Sequence, residues 1–201
     1  MKEFKVKQNK ILKQEINGYY NCDYVGYQKQ GNPDFINRLK NMSKQYTELD
    51  LVDDFIEVAE RFSKDIEAIM KKENKYNYVV CVIPRSKTDK SYSQSQLMFK
   101  KAISSIANKL QLKDATNAIS RTRNTKTTHN WRLENNNGDM PYKGITKDTC
   151  TIDENAIKGK DIILVDDIYT EDVNVAEDCI QTLLDIGAKS VKLYVIAKTK
   201  G

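Results

Sequence analysis

Three residues that can bind phosphate follow a short apolar run of this chain. The run covers residues 76–83 and stops at Pro84. Directly after it come Arg85, Ser86 and Lys87. A guanidinium can bind two phosphate oxygens at once, and an ammonium adds a compact positive charge. The loop therefore predicts a site for phosphate or pyrophosphate, with a basic loop that contacts only water as the alternative.

Two adjacent carboxylates follow a second apolar run, at residues 161–165. Asp166 and Asp167 can accept hydrogen bonds from the two hydroxyls of a ribose, or they can hold Mg²⁺ through water. Paired aspartates after a strand can also cap the next helix. Both interpretations stay open from the residues alone.

The elements that must position these side chains follow from the periodicity of apolar residues. Strands are predicted at residues 3–7, 18–28, 76–83, 115–119, 161–165 and 190–197. Helices are predicted at residues 33–46, 51–73, 94–110 and 173–186, and the polar residues 121–148 predict one long loop. Strands that alternate with helices are typical of a parallel sheet with helices on both faces, where ligands bind at the carboxyl ends of the strands. The two clusters are therefore expected at one edge of the same sheet.

The composition narrows the class of protein. A chain of 201 residues is long enough for one main core, and its net charge of +5 is modest, so charge alone does not favour nucleic-acid binding. The four cysteines contain no close pair, which excludes a zinc knuckle or a C-x-x-C redox motif. No apolar stretch approaches the roughly 20 residues that span a bilayer. We expect a cytoplasmic protein without a membrane segment.

Several stretches resemble the type I phosphoribosyltransferase family, and in particular its competence-protein-F-like branch. The stretch K-G-K-D-I-I-L-V-D-D-I-Y-T, residues 158–170, is similar to the family's ribose-phosphate loop and the strand before it. Further similar stretches are D-I-G-A-K-S-V (185–191), I-A-K-T (196–199), K-S-Y-S-Q (90–94) and R-T-R-N-T (121–125). The resemblance covers roughly residues 76–199.

An α/β fold with two parts is expected, and the resemblance implies one of them. Residues 76–201 would form a parallel-sheet phosphoribosyltransferase-like core with helices on both faces. The resemblance does not extend to residues 1–75, whose own pattern of apolar and aromatic residues predicts an N-terminal α+β lobe, made of helices and a small sheet, that covers the site. The implied ligand is a phosphoribosyl or nucleotide small molecule, such as phosphoribosyl pyrophosphate, with Mg²⁺ as the cofactor.

The resemblance also implies roles for single residues. Asp166 and Asp167 would contact the ribose hydroxyls or Mg²⁺, and residues 85–87 would bind the pyrophosphate. The long loop that starts with Arg121 and Arg123 would close over the site and exclude water. Catalysis would then depend mostly on positioning the substrate and stabilising the leaving pyrophosphate.

One stretch departs from the family pattern. Relatives usually continue T-T-G-x-T after the aspartates, where small residues and backbone amides hold a 5-phosphate. The matching residues here are Thr170, Glu171, Asp172, Val173 and Asn174. Two carboxylates about 4 to 5 Å from a phosphate would each cost on the order of a few kcal/mol at an effective dielectric near 20.

Two explanations of Glu171 and Asp172 stay open. They can cap the following helix and interact favourably with its dipole, or they can mark a pocket that binds a ligand without a 5-phosphate, a cation, or nothing.

The resemblance as a whole leads us to expect an enzyme acting on a ribosyl phosphate or nucleotide with Mg²⁺. The alternative is a non-catalytic relative that senses a nucleotide or binds a protein partner or a second copy. A DNA-associated accessory role is a third interpretation.

Overall fold

The computed structural model of the chain describes residues 1–40, 46–127, 136 and 138–200. Its strands are β1 (Lys2–Val6), β2 (Ile16–Tyr24), β3 (Val79–Val82), β4 (Lys113–Asp114), β5 (Ile119–Arg121), β6 (Cys150–Ile152), β7 (Asp161–Tyr169) and β8 (Ser190–Thr199). Its α-helices are α1 (Asp34–Lys40), α2 (Glu48–Glu73), α3 (Met98–Lys109), α4 (Ile145–Thr149), α5 (Glu154–Ile157) and α6 (Val175–Ile186). Two short 3₁₀ turns lie at Asp89–Ser91 and Ser95–Leu97.

Six strands form one sheet in the order β1-β2-β8-β7-β3-β4. β1 and β2 pair antiparallel, and the other neighbours in this sheet pair parallel. β5 and β6 form a separate antiparallel pair. The expected class is confirmed at this level: the chain is a mixed α/β protein with a mostly parallel sheet. In the described part of the chain, no helix is long and apolar enough to cross a bilayer.

The core lies on both faces of the sheet because successive residues of a strand point to opposite sides. Along β3, Val80 and Val82 pack against one apolar cluster, and Val79 and Cys81 pack against the other. α1, α2 and α3 cover the first face, and α5 and α6 cover the second. The expected helices on both faces are therefore confirmed, and the near-continuous apolar runs of β3 and β7 follow from burial on both sides.

The main helices lie close to their predicted positions. α2 begins three residues before the predicted residue 51, because Thr47 and Asp50 form a capping box: the Asp50 amide donates to Thr47 Oγ1 at 3.2 Å, and the Thr47 amide donates to Asp50 Oδ2 at 3.1 Å. α6 ends before Gly187, whose φ of 103° suits glycine. α1 ends at Lys40 in the described chain, and residues 41–45 of that prediction lie outside the described residues.

Two predictions for residues 115–148 are wrong. In place of the predicted strand 115–119, residues 115–118 form a turn between β4 and β5, and β5 begins at Ile119. In this turn the Asp114 carboxylate accepts a hydrogen bond from the Thr116 amide at 2.9 Å. The predicted single loop 121–148 begins in β5 and ends in α4, and a β-bridge joins Thr125 to Asp139 within it. Residues 128–135 and 137, where the predicted lid would lie, are outside the described residues.

The N-terminal strands do not form a small sheet of their own, as the sequence suggested. β2 pairs parallel to β8, with Gly18 opposite Leu193, and β1 pairs with the outer side of β2. Hydrogen bonding between strands that are far apart in sequence cannot be recognised from local composition. The aromatic residues of β2 thus extend the main sheet.

β7 is four residues longer than predicted. Asp166 and Asp167, which we call the acid pair, therefore lie inside a strand rather than in a loop after it. Asp166 pairs with Val195 of β8, and the pairing continues to Tyr169. β3 pairs with β7 only as far as Val82 opposite Val165. Because the chain after β3 leads to α3 and β4 on one side, and β7 leads to α6 and β8 on the other, the sheet has a topological switch point between β3 and β7.

Candidate functional site

Asp166 and Asp167 lie at this switch point. The Asp167 amide donates to Asp166 Oδ1 at 2.9 Å, and the Ile168 amide donates to Asp167 Oδ1 at 2.6 Å. Both carboxylates are therefore held by the backbone of their own strand. Because α6 starts only at Val175, the alternative that these aspartates cap the next helix is wrong.

Lys40, the last residue of α1, contacts the acid pair. Its Nζ lies 2.7 Å from Asp167 Oδ1, and its side chain is 30% exposed, against 11% for Asp167. The sequence analysis missed this residue. The sequence around Lys40 does not indicate this contact, because 127 residues separate Lys40 from Asp167 along the chain.

The two carboxyl groups of the pair have different affinities for protons. Burial and the neighbouring Asp167 charge raise the pKa of Asp166 to about 8. Burial also acts to raise the pKa of Asp167, but the charges of Lys40 and Arg85 outweigh it, so this pKa lies below its usual value. The two carboxyl groups therefore titrate as a pair: burial and mutual repulsion favour a proton on the pair, and Lys40 favours a negative charge on Asp167.

Arg85 lies near the pair but donates its hydrogen bonds to the backbone. Nη1 donates to the Gln96 carbonyl at 2.7 Å, and Nη2 donates to the Lys40 carbonyl at 3.0 Å. The guanidinium carbon stands 4.1 Å from the centre of the Tyr92 ring, within cation–π distance. Arg85 thus fastens the loop after β3 to the end of α1, and its positive charge acts on Asp167 through space.

Ser86 and Lys87 connect the loop after β3 to residues 125–127. The Thr125 amide donates to the Ser86 carbonyl at 2.7 Å, and the hydroxyls of Ser86 and Thr127 are 2.8 Å apart. Lys87 is buried, and its Nζ donates to the Thr125 carbonyl at 2.8 Å. Burial lowers the pKa of Lys87. In this arrangement the loop is bonded to its neighbours, and a phosphate would have to replace some of these contacts.

Arg121 and Arg123 have different environments. Arg121 is buried, its Nε donates to the Arg85 carbonyl at 3.1 Å, and its Nη1 donates to Thr149 Oγ1. Arg123 is exposed, and its amide donates to the Thr149 carbonyl at 3.4 Å. Arg121 therefore stabilises the loop after β3 through the Arg85 carbonyl, whereas the side chain of Arg123 is accessible to solvent.

The loop after β7, residues 170–174, connects the ends of β7 and β8 with the segment after β1. The hydroxyls of Thr170 and Thr199 are 2.7 Å apart. Glu171 Oε1 accepts a hydrogen bond from Lys7 Nζ at 3.1 Å. Glu171 thus pairs with a lysine of another segment, and the explanation that it caps the next helix is wrong.

Asp172 and Asn174 adopt the left-handed backbone conformation. Their φ angles are 70° and 65°. Asn174 is the N-terminal cap residue of α6, and its side chain makes no capping hydrogen bond. Instead it accepts from Asn9 Nδ2 and donates to the Asp172 carbonyl, both at 3.0 Å. A positive φ at Asp172 is the conformation that glycine adopts without strain.

Two further acids lie in the first turn of α6. Glu177 and Asp178 are both buried, each 2% exposed. Glu177 Oε1 accepts from the Tyr169 hydroxyl at 2.7 Å, whereas its Oε2 has no partner among the described residues. Asp178 accepts from the amides of Gly144 and Thr146, at 2.5 and 2.8 Å. Acids are common in first turns because their negative charge interacts favourably with the positive end of the helix dipole. Here the same acids lie at the helix end that would otherwise attract an anion.

A cavity of about 570 Å³ lies at the opposite edge of the sheet, at the amino ends of β3, β7 and β8. Asp161 contacts Lys75 there at 2.6 Å, and Glu73 contacts Lys192 at 3.0 Å. The buried hydroxyl of Tyr78, beside this cavity, has no hydrogen-bond partner in the described part of the chain. The acids and lysines of this cavity pair with one another, and ligands of parallel sheets bind at the carboxyl edge. We therefore place the candidate site at the acid pair.

The acid pair fits a metal ion that is shared with a ligand, but not one held by the protein alone. Mg²⁺ is commonly bound by one or two carboxylates together with substrate phosphates, and Asp166 and Asp167 can supply two carboxylates. In residues 1–40, 46–127, 136 and 138–200, no group of three or more His, Cys, Asp or Glu side chains could hold a metal.

Comparison of the chain with protein-family models and with curated proteins finds no match.

Proposed function

We propose that this chain is a phosphoribosyltransferase-like protein that binds a ribosyl-phosphate or nucleotide ligand at the acid pair, with Mg²⁺. The observation that carries the proposal is the position of Asp166 and Asp167 at the switch point of a mostly parallel sheet. The basic loop after β3 reaches the same edge, and Arg85 is close enough to lower the pKa of Asp167.

In this proposal each group has a defined task. Asp167, which is ionised, accepts a hydrogen bond from one ribose hydroxyl, and Asp166 contacts the other. Residues 85–87 face the pyrophosphate, with Ser86 and the Arg85 charge available after the loop exchanges its internal hydrogen bonds for phosphate oxygens. When bound, Mg²⁺ neutralises charge on the leaving pyrophosphate. The protein then contributes positioning and exclusion of water.

A second candidate, a non-catalytic relative that senses a nucleotide or binds a protein partner or a second copy, is favoured by the acids at α6. Glu171 and Asp172 are exposed in the loop, and Glu177 and Asp178 lie in the first turn. Four carboxylates at one helix end repel a phosphate dianion. Under this candidate the ribose-facing edge is retained, but phosphoribosyl pyrophosphate does not bind.

Calorimetry with phosphoribosyl pyrophosphate and Mg²⁺ distinguishes the two candidates. If the chain is a transferase, the wild type releases heat of binding, and Asp167→Asn loses it because the ionised partner of the ribose is gone. If the chain is a non-catalytic relative, binding is absent in the wild type and emerges only in Glu171→Thr/Asp172→Gly. Glycine at position 172 is compatible with the φ of 70° found there.

Tight binding by the wild type would rule out the second candidate. Binding that is the same in the wild type and in Asp167→Asn would contradict the assignment of the site. The DNA-associated interpretation is checked on a duplex-DNA column, because it predicts retention that falls steeply as salt rises.

A further inference from the structure

The first half of α2 exposes three large apolar side chains to solvent. Leu49, Val52 and Ile56 are 78%, 45% and 46% exposed. Their spacing of three and four residues places them on one face of the helix, along about 10 Å of its axis. They make up three of the seven large apolar side chains that are exposed in the described part of the chain. We call these three residues the α2 stripe.

The α2 stripe does not belong to the core of the molecule. α2 packs against the sheet with its opposite face, where Val58, Phe62 and Ile66 are fully buried. Farther along the helix, the face of the α2 stripe continues with the polar residues Ser63 and Glu67. Adjoining apolar side chains on the surface, unlike scattered ones, are typical of an interaction site.

Acidic side chains border the α2 stripe. Residues 48–60 contain six Asp and Glu and no Lys or Arg, in a chain whose net charge is +5. Asp54 and Glu57 pair with arginines. Asp53 and Glu60 each follow a residue of the stripe by four positions, and both are exposed without an ion-pair partner among the described residues. The stripe therefore has uncompensated negative charge beside it.

The charge beside the α2 stripe decides which partner fits. Nucleic acids and anionic lipid surfaces carry negative charge, so the acids repel them. A second copy that docked its own α2 stripe would place acids opposite acids, which is also unfavourable. A helix with apolar residues at spacings of three and four, and with Lys or Arg beside them, is complementary in both shape and charge.

We propose that the α2 stripe is a docking surface for a basic amphipathic helix of a partner protein. The apolar residues of that helix cover the α2 stripe, and its Lys or Arg side chains pair with Asp53 and Glu60. The proposal goes beyond the proposed function and does not depend on it, because the residues assigned to that function lie in β7 and in the loop after β3.

Fluorescence anisotropy of two labelled synthetic peptides tests the proposal on the full chain. Both peptides carry Leu at spacings of three and four; the Leu/Lys peptide has Lys at all other positions, and the Leu/Glu peptide has Glu there. We expect the Leu/Lys peptide to bind with an affinity that falls as salt rises, and the Leu/Glu peptide not to bind. Val52→Gln/Ile56→Gln should weaken binding of the Leu/Lys peptide at least tenfold. Asp53→Asn/Glu60→Gln should weaken binding and also make it less dependent on salt.

Two matched variants control for general changes of the surface. Tyr76→Gln/Met140→Gln replaces two exposed apolar side chains elsewhere, and Asp139→Asn/Glu154→Gln neutralises two exposed acids elsewhere. Neither should change the affinity for the Leu/Lys peptide. Circular dichroism confirms that each variant is folded, and Ile56→Gln alone replaces the double variant of the stripe if the latter does not fold.

Equal affinity of the Leu/Lys peptide for the wild type and for Val52→Gln/Ile56→Gln would overturn the proposal. The absence of binding would overturn it too, and so would equal binding of the Leu/Glu peptide. Dimers of the wild type in sedimentation velocity that become monomers in Val52→Gln/Ile56→Gln would assign the α2 stripe to a second copy instead. Binding to phosphatidylglycerol vesicles that is lost in the same variant would assign it to a membrane, and either result would overturn the proposal. None of these outcomes bears on the calorimetry with phosphoribosyl pyrophosphate, because no ribosyl ligand is present.

Discussion

At the scale of single residues, Glu177 illustrates what burial does to an acid beside the candidate site. It lies in the first turn of α6, directly after the loop that carries Glu171 and Asp172. Burial raises the pKa of Glu177; the hydrogen bond from Tyr169 acts against this, and the charges of Asp172 and Glu171 add to it. The folded protein therefore binds a proton at Glu177 more tightly than the unfolded chain does.

This difference predicts how stability changes with pH. Because the folded pKa is higher than the unfolded one, the free energy of unfolding falls as pH rises from the unfolded pKa through the folded pKa. Glu177→Gln stays neutral and keeps an oxygen that can accept from Tyr169. We expect it to become more stable relative to the wild type over that interval, by about 1.4 kcal/mol for each unit of pKa difference.

Urea denaturation of both proteins from pH 4 to pH 9 measures the effect. Tyr169→Phe is the matched control with the opposite sign: it removes the hydrogen bond that favours the ionised form, so its stability should fall more steeply with pH than that of the wild type. Parallel curves for the wild type and Glu177→Gln would show that Glu177 does not titrate differently in the folded protein.

At the scale of elements, an ion pair with a buried acid joins α1 to α2. Arg38 Nε donates to Asp54 Oδ2 at 2.9 Å, and Nη2 donates to Asp54 Oδ1 at 2.5 Å. Asp54 is buried at 1% exposure, whereas the Arg38 side chain is 38% exposed. Removing the arginine leaves a buried acid without its counter-charge, which costs several kcal/mol in a fully buried pair and less where solvent screens one partner.

We expect Arg38→Met to lower the free energy of unfolding by about 2 kcal/mol. Arg38→Met/Asp54→Leu should recover most of this loss, because no unpaired charge is then buried. Urea denaturation gives the free energies, and hydrogen exchange of the α1 amides should be faster in the single variant. Equal losses in the single and the double variant would mean that the ion pair does not hold α1.

Several elements could be predicted from the sequence because their signals are local. Apolar runs predicted β3, β7 and β8, and spacing of three and four predicted α2 and α6. The contacts that define the site are not local. Lys40 reaches Asp167 across 127 residues, and Arg85 and Lys87 donate to backbone carbonyls, a use that their residue types do not reveal. The basic residues of this loop predicted cations that are available to a phosphate. In the folded chain, Arg85 and Lys87 donate internal hydrogen bonds instead.

At the scale of the whole molecule, the N-terminal segments complete the sheet and its core. β2 pairs with β8 along most of its length. α2 covers one face of the sheet with residues that are fully buried, namely Val58, Phe62, Ile66 and Ile69. Tyr194 of β8 packs against Phe62, with ring centroids 5.4 Å apart, and donates to Asp65 at 3.0 Å. Residues 1–75 thus bury one face of the sheet and one edge of β8, which pairs with the strand that carries the acid pair.

This arrangement predicts that residues 76–201 do not fold alone. Without residues 1–75 the fragment exposes the apolar face that α2 covers and the β8 edge that β2 pairs with, and such a surface favours aggregation. We expect the isolated fragment to show no cooperative thermal transition and to bind a hydrophobic dye. Adding residues 1–75 as a separate chain should restore a cooperative transition, which shows that the loss comes from missing contacts and not from the break in the chain. A cooperative melt and a dispersed NMR spectrum for residues 76–201 alone would contradict this, and would mean that the acid pair belongs to a core that is stable without its N-terminal cover.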